Sequence, residues 1–351
     1  MVVLSEPNYA GNIIINLASL PDFLRKPILK KRMMEFFPMS ESEKSEIINN
    51  ALEAGPNAGH TIKDGSTTYK VRMLPSGFLN KNSKVMIGPG VVVNPDVFFK
   101  EIQEYGVSGR AFLDKHCGII EQNHLDQDSK GRLKEKIGST GSGTGPANAE
   151  RAMRTLKMAK DVESLSSYVI DVPDEINSAL KNKKNVLVEG TQGTHLSLWH
   201  GTYPFVTSKD VTASGICADV GLGPKNVDEV MVVFKAYLTR VGTGPMNNEL
   251  SAEETEQKGW AEFGTVTGRP RRAAEFDFDL AQRAIMLSSA TQLAITKLDV
   301  RFPECAGVKS YSDLSDEAKS FIKNIEDKLQ VRVTLIGTGP LVDDIIDIRS
   351  N

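Results

Sequence analysis

The chain has 351 residues, enough for about two average domains or one large α/β domain carrying insertions. Hydrophobic residues make up 40% and charged residues 25%, which excludes a collagen, a disulfide scaffold and a wholly disordered chain. The 42 basic and 45 acidic residues leave a net charge of −3, no basis for broad nucleic-acid binding, and no run of 18 apolar residues is present to span a membrane.

In chain order, the first strand-like run is residues 2–15, VVLSEPNYAGNIII, with no basic segment or secretory-leader pattern before its apolar stretch. The basic stretch LRKPILKKR (24–32) reads as a solvated helix face or as a source of cations for phosphate. Ser40 and Glu43 form a capping-box pattern that predicts a helix to about Leu52. Short β-branched runs ending in glycine follow at 84–90, 185–193, 230–244 and 332–339, with a further strand at 293–299. Helical patterns lie between them, at 96–105, 149–161, 174–182, 278–290 and 315–328. Strand, glycine turn and helix in repetition predict one α/β domain: a large, mainly parallel central sheet flanked by helices. In such sheets ligands bind beyond the carboxyl ends of the strands, where these glycines concentrate. Cys117, Cys217 and Cys305 are odd in number and far apart, which suits a reducing, cytoplasmic setting.

Several clusters carry polar chemistry. In Gly55-Pro-Asn57-Ala58-Gly59-His60-Thr61 two glycines allow close backbone approach, and His60 can give or take a proton; a polar surface loop is the alternative. IGSTGSGTGPAN (137–148) offers exposed N–H groups leading into a helix near Ala149, suited to an oxyanion or phosphate, or else a flexible Gly/Ser loop. It is not a Walker A loop, because no Gly-Lys-Ser/Thr triplet exists in the chain. Gln192, at the end of a buried strand, can donate to and accept from a heterocycle. HGTYPFVTSKDVTASG (200–215), with Thr207 and Ser208 central, reads as a pocket wall. Arg269, Arg271 and Arg272 beside a glycine turn suit carboxylate or phosphate, or form a solvated face. Thr296-Lys297-Leu298-Asp299 has the form of a guanine-reading motif, because a carboxylate can accept from both N1–H and the exocyclic amine. Gly337-Thr338-Gly339-Pro340 can close over the same base.

Together, and in this order, GPNAGHT, IGSTGSGTGPAN, VEGTQGT, HGTYPFVTSKD, GLGP, TRVGTGP, EFGTVTGRPRR, TKLD and IGTGP resemble adenylosuccinate synthetase, particularly its shorter archaeal form, from about residue 55 to the C-terminus. The resemblance implies a P-loop-NTPase-like α/β fold, a cytoplasmic homodimer, Mg2+, and joining of L-aspartate to inosine monophosphate (IMP). GTP would phosphorylate the purine 6-oxygen before the amine displaces phosphate. Carried over by motif, His60 and Gln192 would be catalytic. Asn57, Ala58, Gly59, Thr140, Gln192, Thr207 and Arg269 would hold the nucleotide substrate, and Arg154 would reach it across the dimer. Thr265, Val266, Thr267, Gly268 and Arg269 would bind aspartate. Gly59, His60, Thr61 and Arg271 would contact GTP, with Lys297, Leu298, Asp299, Gly337, Thr338 and Gly339 on its guanine. The Gly59 carbonyl would be a magnesium ligand.

The family opens with a GDEGKGK phosphate loop, and here the N-terminus departs from it: Gly11 stands for one loop glycine, with Tyr9 in place of the aspartate and Asn12 in place of the lysine. Two alternatives share the other motifs. One is a phage-type ligase acting on deoxyguanylate with ATP or dATP as donor; the other is a catalytically silent nucleotide-binding homologue. The resemblance implies no nucleic-acid or membrane partner.

Overall fold

A computed structural model describes residues 13–16, 50–53, 59–130, 138–264, 268–341 and 343–349. Ten strands form one sheet in the spatial order Ile345–Asp347, Val333–Gly337, Gln292–Thr296, Glu229–Lys235, Ile13–Asn16, Val186–Gly190, Asn50–Glu53, Val85–Ile87, Ala111–Asp114 and Val169–Ile170. Every pairing is parallel except that of the edge strand Ile345–Asp347 with Val333–Gly337. The expected α/β architecture is therefore observed.

The interior strands explain why the runs are continuously apolar. Val186–Gly190 and Val333–Gly337 are buried at all five positions, as strands covered on both faces must be. Helices with punctuated ends pack against them. Asn94 caps helix Pro95–Tyr105 by accepting from the N–H groups of Asp96 and Val97, and Asp171 caps helix Val172–Lys181 through Asp174. Asp277 and Ser315 do the same for Phe278–Ser288 and Asp316–Leu329. These caps fix the helices close to the expected bounds.

Four expectations are corrected. The run 230–244 is not one strand: its first part ends in the main sheet at Lys235, and Leu238–Val241 pairs antiparallel with Pro270–Ala274. The chain turns there because Lys235 and Tyr237 are both drawn to Glu262, on the third strand of that small sheet, Glu262–Phe263. The helix expected at 149–161 is Thr144–Met153 instead. Gly143, at φ 78°, starts it five residues before Ala149, and Arg154 stops it in the left-handed conformation. The helix expected to reach Leu52 is at its end a strand, Asn50–Glu53, while the Ser40–Glu43 capping box lies outside the described residues. Finally, the central strand is Ile13–Asn16, so Tyr9, Gly11 and Asn12 precede it and do not follow it as a phosphate loop would.

The topology places the ligand site. From the central strand the sheet grows outward to Val169–Ile170, returns to Val186–Gly190, crosses to Glu229–Lys235 and grows toward the opposite edge. That reversal opens a crevice at the carboxyl ends of the parallel strands. Gly59-His60 follows Asn50–Glu53, Thr191-Gln192 follows Val186–Gly190, Lys297–Asp299 follows Gln292–Thr296, and Thr338-Gly339 follows Val333–Gly337. Four motifs far apart in sequence thus leave one edge.

Candidate active site

His60 opens the hairpin strand His60–Asp64 and is buried. Its Nδ1 lies 3.0 Å from Oε1 of Glu189, a charge contact rather than an aligned hydrogen bond. The Glu189 carboxylate also accepts from the Ser76 N–H at 2.8 Å and from its hydroxyl at 2.9 Å. Gln192 stands three residues beyond Glu189 in a left-handed conformation, φ 68°, which turns the chain sharply off the strand end. Its Oε1 and the Thr191 hydroxyl are buried without a hydrogen-bond partner, so each is available to a ligand group.

The glycine loop is braced from helix Gln122–Lys130. Asp128 accepts from the Ser139 hydroxyl at 2.5 Å and from the Gly143 N–H at 2.8 Å. Thr140, exposed, shares a 2.7 Å hydroxyl contact with Ser142. Arg269 donates from Nη2 to the Gly138 carbonyl at 2.8 Å, joining the arginine-rich segment to this loop. Asn148 donates to Ser208 at 2.9 Å and the Thr207 N–H to Leu196 at 2.8 Å, tying the expected pocket wall to the helix after the loop. That wall is drawn together by Asp210, which accepts from Ser197 and Thr212. Burial alone would raise the Asp210 carboxyl, but those hydroxyl and backbone donors hold it below the ordinary range.

Lys235, Tyr237, Arg271 and Lys297 meet around Glu262. It lies 2.6 Å from Lys235 Nζ, 3.5 Å from Arg271 and 3.8 Å from Lys297, and it accepts the Tyr237 hydroxyl at 2.7 Å. Burial pushes Lys235 down to about 8, with Glu262 opposing. Burial would raise Glu262, yet Lys235, Lys297 and Arg271 together bring it to about 2. A folded value below the unfolded one means stability present above about pH 4.5 and lost as pH falls toward about 2. Replacing Glu262 by glutamine deprives the buried Lys235 of its carboxylate partner, and is expected to cost about 3–5 kcal/mol in urea unfolding at pH 7. The variant should also show a shallower decline in stability between about pH 4.5 and 2, having lost the share that Glu262 contributes; an unchanged unfolding midpoint at both pH values would contradict this account.

Asp299 is the second residue of the short helix Leu298–Arg301, and Lys297 caps it at φ 62°. Burial pushes the Asp299 carboxyl up against the opposing charge of Lys297, and its Oδ1 is buried without a hydrogen-bond partner. Across from it, Thr338 donates its hydroxyl to the Val308 carbonyl at 2.8 Å, and its N–H to the Asp344 carbonyl. Gly339 is required there, because a Cβ would run into the Asp344 carboxylate.

Gln192, Lys297, Leu298, Asp299, Gly337, Thr338 and Gly339 lie along the carboxyl edge of the sheet or directly after it, and Gly59, His60 and Thr61 lie at the start of a separate hairpin that meets that edge through Glu189. Thr140, Thr207, Gly268, Arg269 and Arg271 lie on the loops and small sheet linked to that edge by the contacts above. Arg154, exposed at the end of its helix, stands apart from these contacts. Asn57, Ala58, Thr265, Val266 and Thr267 lie outside the described residues. Sequence reading missed Glu189, Asp128, Lys235 and Glu262 as site-shaping residues. The one available signal was an acid inside the otherwise apolar VLVEG strand, costly unless a partner answers it.

Among the described residues no group of three or more His, Cys, Asp or Glu side chains could hold a metal, and no helix is long and apolar enough to cross a membrane. Mg2+ commonly binds largely through substrate phosphates and keeps several waters, so a cage of acidic side chains is not required of the protein.

Comparison with known proteins gives one family. The adenylosuccinate synthetase model matches residues 42–162 and 155–303. The adenylosuccinate synthetase of Methanosphaera stadtmanae is 51% identical over 312 residues, covering 88% of this chain and 91% of that one. That of Methanocaldococcus jannaschii is 53% identical over 300 residues, covering 84% and 87%. Among solved structures, the fully ligated adenylosuccinate synthetase of Plasmodium falciparum is similar with a TM-score of 0.82 and 25% identity, over 95% of this chain and 98% of that one. The succinoaminodeoxyadenylate synthetase of cyanophage S-2L, bound to dGMP and dATP, shares the fold with a TM-score of 0.76 at 24% identity, over 96% and 95%. The chain belongs to the adenylosuccinate synthetase family.

Proposed function

We propose a division of labour among these residues for the family's reaction. The protein is a C–N ligase that joins L-aspartate to the 6-position of IMP with hydrolysis of GTP, in AMP synthesis, and it uses Mg2+. When bound, Mg2+ supplies charge neutralisation to the triphosphate. His60 stands where it meets the transferring phosphoryl group and stabilises the charge that develops there. Gln192, whose Oε1 is buried without a hydrogen-bond partner, orients the purine carbonyl and its neighbouring nitrogen. Asn57, Thr140 and Thr207 hold the nucleotide, with Ala58 and Gly59 giving backbone contacts. Arg269, already bonded to the glycine loop, spans nucleotide and aspartate, and Thr265–Gly268 cradle the amino acid. Arg271 contacts GTP, Lys297 and Leu298 flank its guanine, and Asp299 accepts from the base under the Gly337–Gly339 turn. We assign Arg154 to the partner's nucleotide in a homodimer, and the protein to the cytoplasm.

The observation that carries this reading is that Gln192 and Asp299 follow parallel strands at one edge of the main sheet, and that His60, on a separate hairpin, packs 3.0 Å from Glu189 on the strand that ends before Gln192. Purified protein given IMP, L-aspartate, GTP and Mg2+ is expected to form product by absorbance and to release phosphate, each only when all components are present. Turnover with deoxyguanylate alone, or nucleotide binding with no turnover, would sink this reading in favour of the phage-type or silent alternative.

A further inference from the structure

We propose that Glu189 is a positioning residue for His60: it fixes the orientation of the imidazole ring while the phosphoryl group is transferred. This inference rests on the reading of His60 as the acid of that step. The geometry is specific. Both side chains are fully buried, and Nδ1 of His60 stands 3.0 Å from Oε1 of Glu189. Glu189 is the single charged residue of a strand whose other members are Val186, Leu187, Val188 and Gly190. Burying a carboxylate there is expensive unless partners answer it, and the Ser76 N–H and hydroxyl hold its two oxygens in place. The carboxylate therefore cannot swing away from the ring. A fixed carboxylate against one ring nitrogen sets the ring's orientation, leaving Nε2 as the atom on the far side of the ring. Because Glu189 lies three residues before Gln192 on one strand end, the same strand sets the ring and the amide in mutual register.

A merely structural role, pinning the Ser76–Leu79 turn to the sheet, predicts a different outcome. The experiment compares Glu189→Gln, Glu189→Asp, His60→Ala and the Glu189→Gln/His60→Ala double variant. Glu189→Gln is expected to lower kcat by about 10²-fold, with KM for IMP and GTP within about twofold. Glu189→Asp should recover part of the rate, and the double variant should be no slower than His60→Ala alone. Unchanged kcat in Glu189→Gln, a loss confined to KM, or losses that multiply in the double variant would each overturn the proposal. Should His60→Ala retain full kcat, the reading of His60 itself fails, a result distinct from failure of Glu189. If Glu189→Gln does not fold, Glu189→Asp decides: unchanged kcat in that folded variant, or a loss confined to KM, overturns the proposal.

Discussion

Replacing His60 by alanine is expected to lower kcat by about 10²–10⁴-fold, the usual worth of a positioned acid or base, while KM for GTP and IMP changes little. The argument is one of differential binding. A ring N–H facing the phosphoryl group interacts most strongly when charge has built up on the bridging oxygens, so its removal weakens the transition state more than the bound substrates. The ring is also poorly placed to act as a simple binding group, because it is buried against Glu189 at the start of a strand. Steady-state kinetics with phosphate release as readout check this. A variant that keeps kcat and raises only KM would show that His60 binds and does not catalyse. Thermal unfolding must accompany the kinetics, since removing the ring leaves the Glu189 carboxylate short of one partner in a buried place.

Much of this site was legible before the fold, and the reasons are physical. Glycines at strand ends, Gln192 after a buried strand and Asp299 after another are local signals, because a parallel sheet demands continuous apolar runs and then a turn. What was not legible depended on contacts between distant segments. Glu189 is paired with a residue 129 positions earlier in the chain, and nothing in VLVEG names His60 as its partner. The split of 230–244 into two strands follows from Glu262 drawing on Lys235 and Tyr237, again a long-range contact. The early start of the helix at Thr144 was a local feature, yet four glycines in one loop left several positions equally able to take the left-handed turn. Register was misjudged at the N-terminus because IIIN follows Gly11 in the central strand, whereas the longer apolar run 2–15 suggested a strand preceding it.

Replacing Asp299 by asparagine is expected to raise KM for GTP by about 10²–10⁴-fold while leaving kcat at saturation near wild type. The carboxylate of Asp299 can accept from both the N1–H and the exocyclic amine of guanine, and charge-assisted bonds of this kind are worth about 1.5–3 kcal/mol each. An asparagine carbonyl accepts from one of these donors, but its own NH2 then faces the other, so a bond becomes a donor–donor clash. Xanthine carries an oxygen where guanine carries the amine, so the same amide becomes complementary to it. The variant should therefore prefer xanthosine triphosphate over GTP, and the wild type the reverse. Adenine, which has an acceptor at N1 and no 2-amine, should be a poor donor base for the wild-type site. The substitution is also a gentle one for the fold. Burial already pushes the Asp299 carboxyl up and Oδ1 has no hydrogen-bond partner, so a neutral isostere removes a desolvation cost. The thermal midpoint should accordingly stay level or rise, which separates lost recognition from lost structure. Donor competition measured on both proteins decides the matter: equal KM for GTP in Asp299→Asn and wild type would place the base-reading acceptor elsewhere in the crevice.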